Sequence, residues 1–179
     1  LPLARDTEAS REACFRLAEG AALIVAIGGA SVGEHDLVAP VAARLGMERA
    51  FYKVAMRPGK PLMAGRLGAA TVVGLPGNPV SAMVCGVIFV LPLLRAMLGF
   101  PPAPAPRRSA ALAVGLEANG PREHYMRARR TVGGVAPFDR QDSSLLTILS
   151  EADCLLVRPP GDPARPVGAE VEIVPLPEM

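Results

Sequence analysis

Two short apolar runs, Leu23-Ile24-Val25-Ala26-Ile27 and Thr71-Val72-Val73-Gly74-Leu75, each lead directly into a glycine-bearing loop. A run of this length with no alternating polar residue has no face to offer water. It predicts a strand covered on both sides, as in a sheet sandwiched between helices. Helical signals flank both runs. Residues 7–19 repeat Ala9, Ala13 and Leu17 at helical spacing, with Asp6 or Thr7 as cap and Gly20 as stop. A short helix is expected over residues 37–45, ended by Gly46. A long one should run from Pro79 to about Leu98, with Asn78 as N-cap, Pro79 as first helical residue and Gly99 as stop. Further strands are expected at residues 51–56 and, as a short strand or hairpin, at 62–66. The alternation reads as α/β with a largely parallel sheet.

The composition changes at "GFPPAPAPRR", residues 99–108, whose four prolines make a stiff connector. Beyond it short strands alternate with Gly and Pro turns: residues 110–116, 125–132, 145–148, 154–158 and 170–174. That pattern predicts a small all-β barrel or sandwich. The domains are placed at residues 1–102 and 103–179.

Totals exclude some functions. A net charge of +2 in 179 residues, with no Trp, argues against nucleic acid as partner. The apolar stretch from Met83 to Leu94 is shorter than the roughly 20 residues a membrane span needs and reads as a buried helix. Cys14, Cys85 and Cys154 lie far apart in apolar surroundings, which suits buried, reduced thiols in a cytoplasmic protein.

The two loops carry the chemistry. In open α/β sheets ligands bind beyond the carboxyl ends of the strands. Gly28, Gly29, Ser31 and Gly33 allow backbone N–H groups to approach a ligand and form an anion nest. Pro76, Gly77, Asn78 and Ser81 stand at a helix N-terminus, which favours an oxyanion. Either loop alone also fits a purely packing role. Lys53 interrupts an apolar strand, and Arg57 and Lys60 flank the stiff "RPGKP" turn. They form either a rigid cationic arm or a solvated turn. Asp36 can hold Mg²⁺, orient a water, pair with Lys53, or simply cap the helix from Leu37. Arg127, Arg129 and Arg130 read as a solvated strand face.

Taken in order, "GGASVGEHD", "KVAMRPGKPLMAG" and "GLPGNPVSAMV" resemble the MoeA–gephyrin family of molybdopterin molybdenumtransferases, from about Arg5 to Val174. The resemblance implies a molybdopterin-binding three-layer α/β/α domain, truncated at its N-terminus, followed by the C-terminal barrel. It implies insertion of molybdate into adenylylated molybdopterin, with Mg²⁺ and release of AMP. Asp36 then matches the essential aspartate and tentative Mg²⁺ ligand, and Asp6 a second acidic position. Lys53 and Lys60 match basic positions, Arg57 stands where many relatives have Lys, and Arg127 and Ser143 match positions facing the active-site cleft. Asp142 replaces a Gly frequent in relatives. Relatives open this domain with a strand bearing a TGDE-type motif and form homodimers through further N-terminal domains. The resemblance therefore implies a segment of a longer cytoplasmic homodimeric enzyme, with small-molecule substrates and neither membrane nor nucleic acid. Three alternatives stand beside it: an inactive fragment, a gephyrin-like scaffold binding a peptide between its domains, and a molybdopterin adenylyltransferase.

Overall fold

The computed structural model describes residues 7–28, 37–142 and 146–177. The chain divides into two compact units, residues 1–54 with 59–85, and residues 55–58 with 86–179.

In the first unit, helix α1 (Glu8–Leu17) begins where the Thr7 hydroxyl accepts the Ser10 N–H, and Glu8 complements the helix dipole. Strand β1 (Leu23–Ile27) follows, then helix α2 (Val38–Arg44) and strand β2 (Glu48–Tyr52). Strands β4 (Met63–Leu67) and β5 (Ala70–Leu75) form a hairpin. The sheet order is β1-β5-β4-β2. Only β1 and β5 pair in parallel; β4 runs antiparallel to both β5 and β2. The expectation of a largely parallel sheet is thus corrected. The link at Gly68-Ala69 is too short for a crossover, so it must reverse the chain. Phe15, Val38, Val41, Ala42, Met63 and Val72 pack as one core on this sheet. Four side chains of α1 and α2 add a surface brace, in which Arg44 pairs with Glu8 and Glu12, and Arg16 with Glu12.

Helix α3 (Pro79–Cys85) buries Val80, Ser81, Ala82, Val84 and Cys85. The helical run continues through a π-helical turn (Gly86–Val90) into α4 (Leu91–Met97). The expected buried helix is buried only in its first part, since Leu91, Leu94 and Met97 are about two-fifths exposed. By length and apolarity alone Pro79–Met97 is long enough to cross a bilayer. The same is true of core helices, and α3 is one.

The second unit begins with the two-residue strand β3 (Met56–Arg57). It continues with β6 (Arg108–Ala111), β7 (Glu123–Thr131), β8 (Gly134–Pro137), helix α5 (Leu146–Glu151), β9 (Cys154–Arg158) and β10 (Glu170–Pro175). The order β3-β7-β9-β10-β6, with β8 on the free side of β7, curls until Leu112 bridges Val135. That bridge closes a small barrel around Leu112, Ala128, Val135, Cys154, Leu156 and Ile173. Helix α5 replaces the strand expected at 145–148. Its only buried side chain is Leu149, so one apolar anchor suffices and no alternating face is needed.

A buried ionic group fixes one end of this barrel. Arg158, 3% exposed, donates from Nε to Asp162 at 2.5 Å and from its terminal nitrogen to the Glu117 and Pro163 carbonyls. Arg165 donates to the other carboxylate oxygen of Asp162. The hydrogen bonds from Arg165 and then Arg158 hold the Asp162 carboxyl below its ordinary value, against the opposing effect of burial. Asp162→Asn leaves a buried guanidinium without its counter-charge, and unfolding in urea should show a loss of about 3–5 kcal/mol. Because the folded carboxyl is depressed, its contribution is present above the unfolded value near 3.8 and is lost as pH falls through the folded one. A second variant tests the closure. Gly134 has φ of +122°, and a Cβ there runs into the Ala111 carbonyl. Gly134→Ala should therefore cost about 2–4 kcal/mol in the same assay.

Candidate functional site

The parallel pair β1–β5 carries both glycine loops to the same end of the sheet. Register pairs Ile27 with Leu75, and the Gly28 N–H donates to the Leu75 carbonyl at 3.1 Å. Gly28 then takes φ of +79°, a conformation costly for other residues. The loops nearly touch there: a Cβ on Gly77 would lie 3.3 Å from the Gly28 Cα. Of the first loop's other candidates, Gly29, Ser31, Gly33 and Asp36 lie outside the described residues, as do Asp6 and Ser143.

Pro76 is buried, Gly77 exposed and Asn78 half-buried. The Asn78 side chain accepts the Ser81 N–H at 3.0 Å, and its carbonyl accepts the Ala82 N–H at 2.9 Å. Asn78 is thus the helix cap that its position predicts, and one backbone donor of this helix start, that of Ser81, is engaged internally.

The basic turn is built differently from the sequence expectation. Lys53 does not interrupt a strand. It stands one residue past β2 with φ of +70°, a left-handed conformation that costs a non-glycine residue about 1–2 kcal/mol. Its N–H donates to the Leu62 carbonyl at 2.8 Å, and the Val54 N–H donates to the Lys60 carbonyl at 3.1 Å. These bonds clamp the two ends of the turn together and over-determine the strained residue. The Lys53 ammonium lies 5.3 Å from the centroid of the Tyr52 ring, and the Arg49 guanidinium lies 5.1 Å from it. Lys60 is exposed, while Gly59 is buried, with its carbonyl 3.9 Å from the Cys85 Sγ. Burial pushes the Cys85 thiol up to about 12, so it packs and anchors rather than reacts. Burial does the same to Cys154, helped by Asp153, whereas Cys14 is only half-buried.

In the second unit Arg57 ends β3, exposed, opposite His124 of β7. His124 in turn stands opposite Arg158 of β9. Arg127 is 1% exposed, which corrects the solvated-face expectation for this residue; Arg129 and Arg130 are exposed, as expected. Gln141 explains how an arginine is buried here. Its Oε1 accepts from the Arg127 N–H at 3.0 Å, its Nε2 donates to the Arg127 carbonyl at 2.9 Å, and the guanidinium donates to the Asp142 carbonyl at 2.9 Å. Burial lowers the proton affinity of Arg127, Asp142 opposes this, and the Arg57 charge lowers it further. Burial first, then Arg57, Arg127, Arg122 and Arg158, push the His124 imidazole down to about 4. Arg57, His124 and Arg158 thus form a basic row on one face of the strands, and Arg127 lies on the other face of β7. Sequence reasoning missed Gln141 and His124, since neither stands in a motif; only the spacing of Gln141 from Arg127 across a β-turn unit could have hinted at it.

Among the described residues no three His, Cys, Asp or Glu side chains gather to hold a metal ion. The described part of the site therefore offers Mg²⁺ no ligand set.

Two outcomes follow. Lys53→Gly should relieve the left-handed strain and raise stability by about 1 kcal/mol in thermal unfolding. Because folding depresses the His124 imidazole, the unfolded chain binds more protons between about pH 6.5 and 4. Stability should fall as pH drops across that window, and His124→Gln should flatten the fall.

Comparison with known proteins matches residues 2–96 to a family described as a probable molybdopterin binding domain. Residues 109–176 match the MoeA C-terminal region, domain IV. A molybdopterin molybdenumtransferase 2 of Mycobacterium tuberculosis is 36% identical over 150 residues, 79% of this chain and 36% of that protein. A molybdopterin molybdenumtransferase of Haemophilus influenzae is 43% identical over 100 residues, 55% of this chain and 24% of that protein. The crystal structure of a molybdopterin biosynthesis MoeA protein from Pyrococcus horikosii superposes with a TM-score of 0.79 at 28% identity, covering 98% of this chain and 43% of that one. The chain thus spans less than half the length of these relatives. A molybdopterin-binding type of α/β domain followed by the MoeA C-terminal β domain, in one chain and in this order, places it in the MoeA family.

Proposed function

We propose that this chain carries part of the active site of a molybdopterin molybdenumtransferase, which inserts molybdate into adenylylated molybdopterin and releases AMP. The observation that carries this reading is the exposed Arg57, set in register beside His124, in a chain of this family. The substrates are all anionic, and a site for them needs cations and backbone donors rather than a carboxylate-lined pocket.

Each group then has a task. The adjoining loops at Gly28 and Gly77 receive the anionic groups of the nucleotide-linked pterin, together with Gly29, Ser31, Gly33, Asn78 and Ser81. Lys53, Arg57 and Lys60 hold molybdate or the phosphate and balance its charge, and Arg127 and Ser143 bind the pterin substrate. Asp36, with Asp6, orients the water that cleaves the pyrophosphate, and Asp36 is the residue put forward for Mg²⁺. Residues 1–102 and 103–179 act as the two domains of this segment; the family matches end at 96 and resume at 109, which supports that division. The full-length protein is proposed to be a cytoplasmic homodimer.

The test separates binding from chemistry. In the full-length protein Asp36→Asn should lower turnover of adenylylated molybdopterin by at least about 100-fold, while calorimetry shows molybdate affinity within about threefold of the parent. Arg57→Ala should do the reverse, weakening molybdate binding by tenfold or more. Undiminished turnover in Asp36→Asn removes that residue from the mechanism.

A further inference from the structure

Beside Arg57 stands a group to which no task has been given. His124 sits in the middle of a cross-strand row: Arg57 of β3 is its register partner on one side and Arg158 of β9 on the other. Residues directly opposite one another across neighbouring strands point to the same face, so three basic side chains share one patch. The row continues the interior face of the barrel, since Met126, Ala128, Cys154 and Leu156 of the same strands line its core. His124 therefore stands at one end of the barrel.

The charges around it are unevenly answered. Arg158 has Asp162, which also takes Arg165. Glu123, the neighbouring carboxylate, is engaged by Arg107, as is Glu172. Asp142 acts on Arg127, which lies on the opposite face of β7. Among the described residues, Arg57 and Arg122 have no ion-pair partner. Arg57 is the one charge felt by both His124 and Arg127.

We propose that His124 is the proton-linked member of the oxyanion site: a dianion bound at Arg57 draws a proton onto His124, so that anion and proton bind together. The inference rests on the reading that Arg57 holds an oxyanion. Its physical basis is a balance of neighbours. In the free protein, burial and four arginines keep the imidazole neutral, near 4. A dianion at Arg57 cancels the nearest of those charges and adds one of opposite sign, both of which favour imidazolium. No direct contact is required, because the coupling is electrostatic and His124 is partly buried. Linkage then makes the effect reciprocal: whatever the anion adds to proton affinity, protonation adds to anion affinity. Neutral at rest, His124 adds little to the site at neutral pH and strengthens it as pH falls toward the raised midpoint.

The chain has two histidines, so two imidazole Hε1 signals report the test directly. His35→Gln assigns them. The signals are followed by NMR from pH 7.5 to about 4.5, without and with molybdate kept dilute enough to remain monomeric. Calorimetry at pH 7 establishes binding to the same protein. The expected result is a His124 midpoint that rises by about one unit or more with molybdate, and does not move in Arg57→Ala. Molybdate affinity should then rise as pH falls, by at most about tenfold per unit, and His124→Gln should abolish that dependence. Binding at pH 7 with an unmoved His124 midpoint overturns the proposal and leaves the oxyanion reading intact. Absence of binding in the parent chain overturns both. The NMR titration uses the parent His124, so it remains decisive even if His124→Gln folds poorly.

Discussion

The parallel pairing of β1 with β5 governs what the α/β unit can offer a ligand. Two strands leaving a sheet in the same direction deliver their loops to the same place. Here they arrive so close that a side chain at Gly77 would press on Gly28 of the other loop. The rest of the unit supports this pair. The β4–β5 hairpin extends the sheet on one side of β5, and α1, α2 and Met63 seal a face with apolar contacts. Hydrophobic burial supplies the stability; the register of one strand pair supplies the geometry.

The basic turn follows a different principle. Charge is presented there on backbone that would not hold its shape unaided. Lys53 is kept in a left-handed conformation by bonds that close the turn at both ends, and the buried Gly59 is fastened near Cys85. Local strain of this sort persists only where surrounding contacts outweigh it. Arg127 shows the converse solution, with a charge buried beside Asp142 and held by Gln141 and a backbone carbonyl.

Much of this was legible in the sequence where short-range physics decides. The strand at Cys154–Arg158 and the cap at Asn78 sit where apolar content and capping chemistry put them. The misses share a cause. Whether β4 runs parallel or antiparallel depends on the length of a link, not on the apolar character of the strands. Arg127 looks solvated in "MRARR" because its partner, Gln141, is 14 residues away and neutral. Residues 146–151 are apolar at their start, and nothing local distinguishes a half-covered helix from a strand there. Of the candidate site, the cations and glycines were readable as types, while the left-handed backbone of Lys53 and the row Arg57–His124–Arg158 are products of tertiary pairing.

The π-helical turn at Gly86–Val90 has a consequence for the long apolar helix that contains it. One residue too many in a turn rotates everything beyond it by about 100° around the axis. The stripe formed by Val80, Val84 and Cys85 therefore does not continue onto Leu91, Leu94 and Met97; it is handed to a different azimuth. The apolar residues before and after the turn thus do not form one continuous stripe. Moving the extra residue by deletion would merge the two into one continuous seam and turn the outer part of the helix away from whatever it now faces.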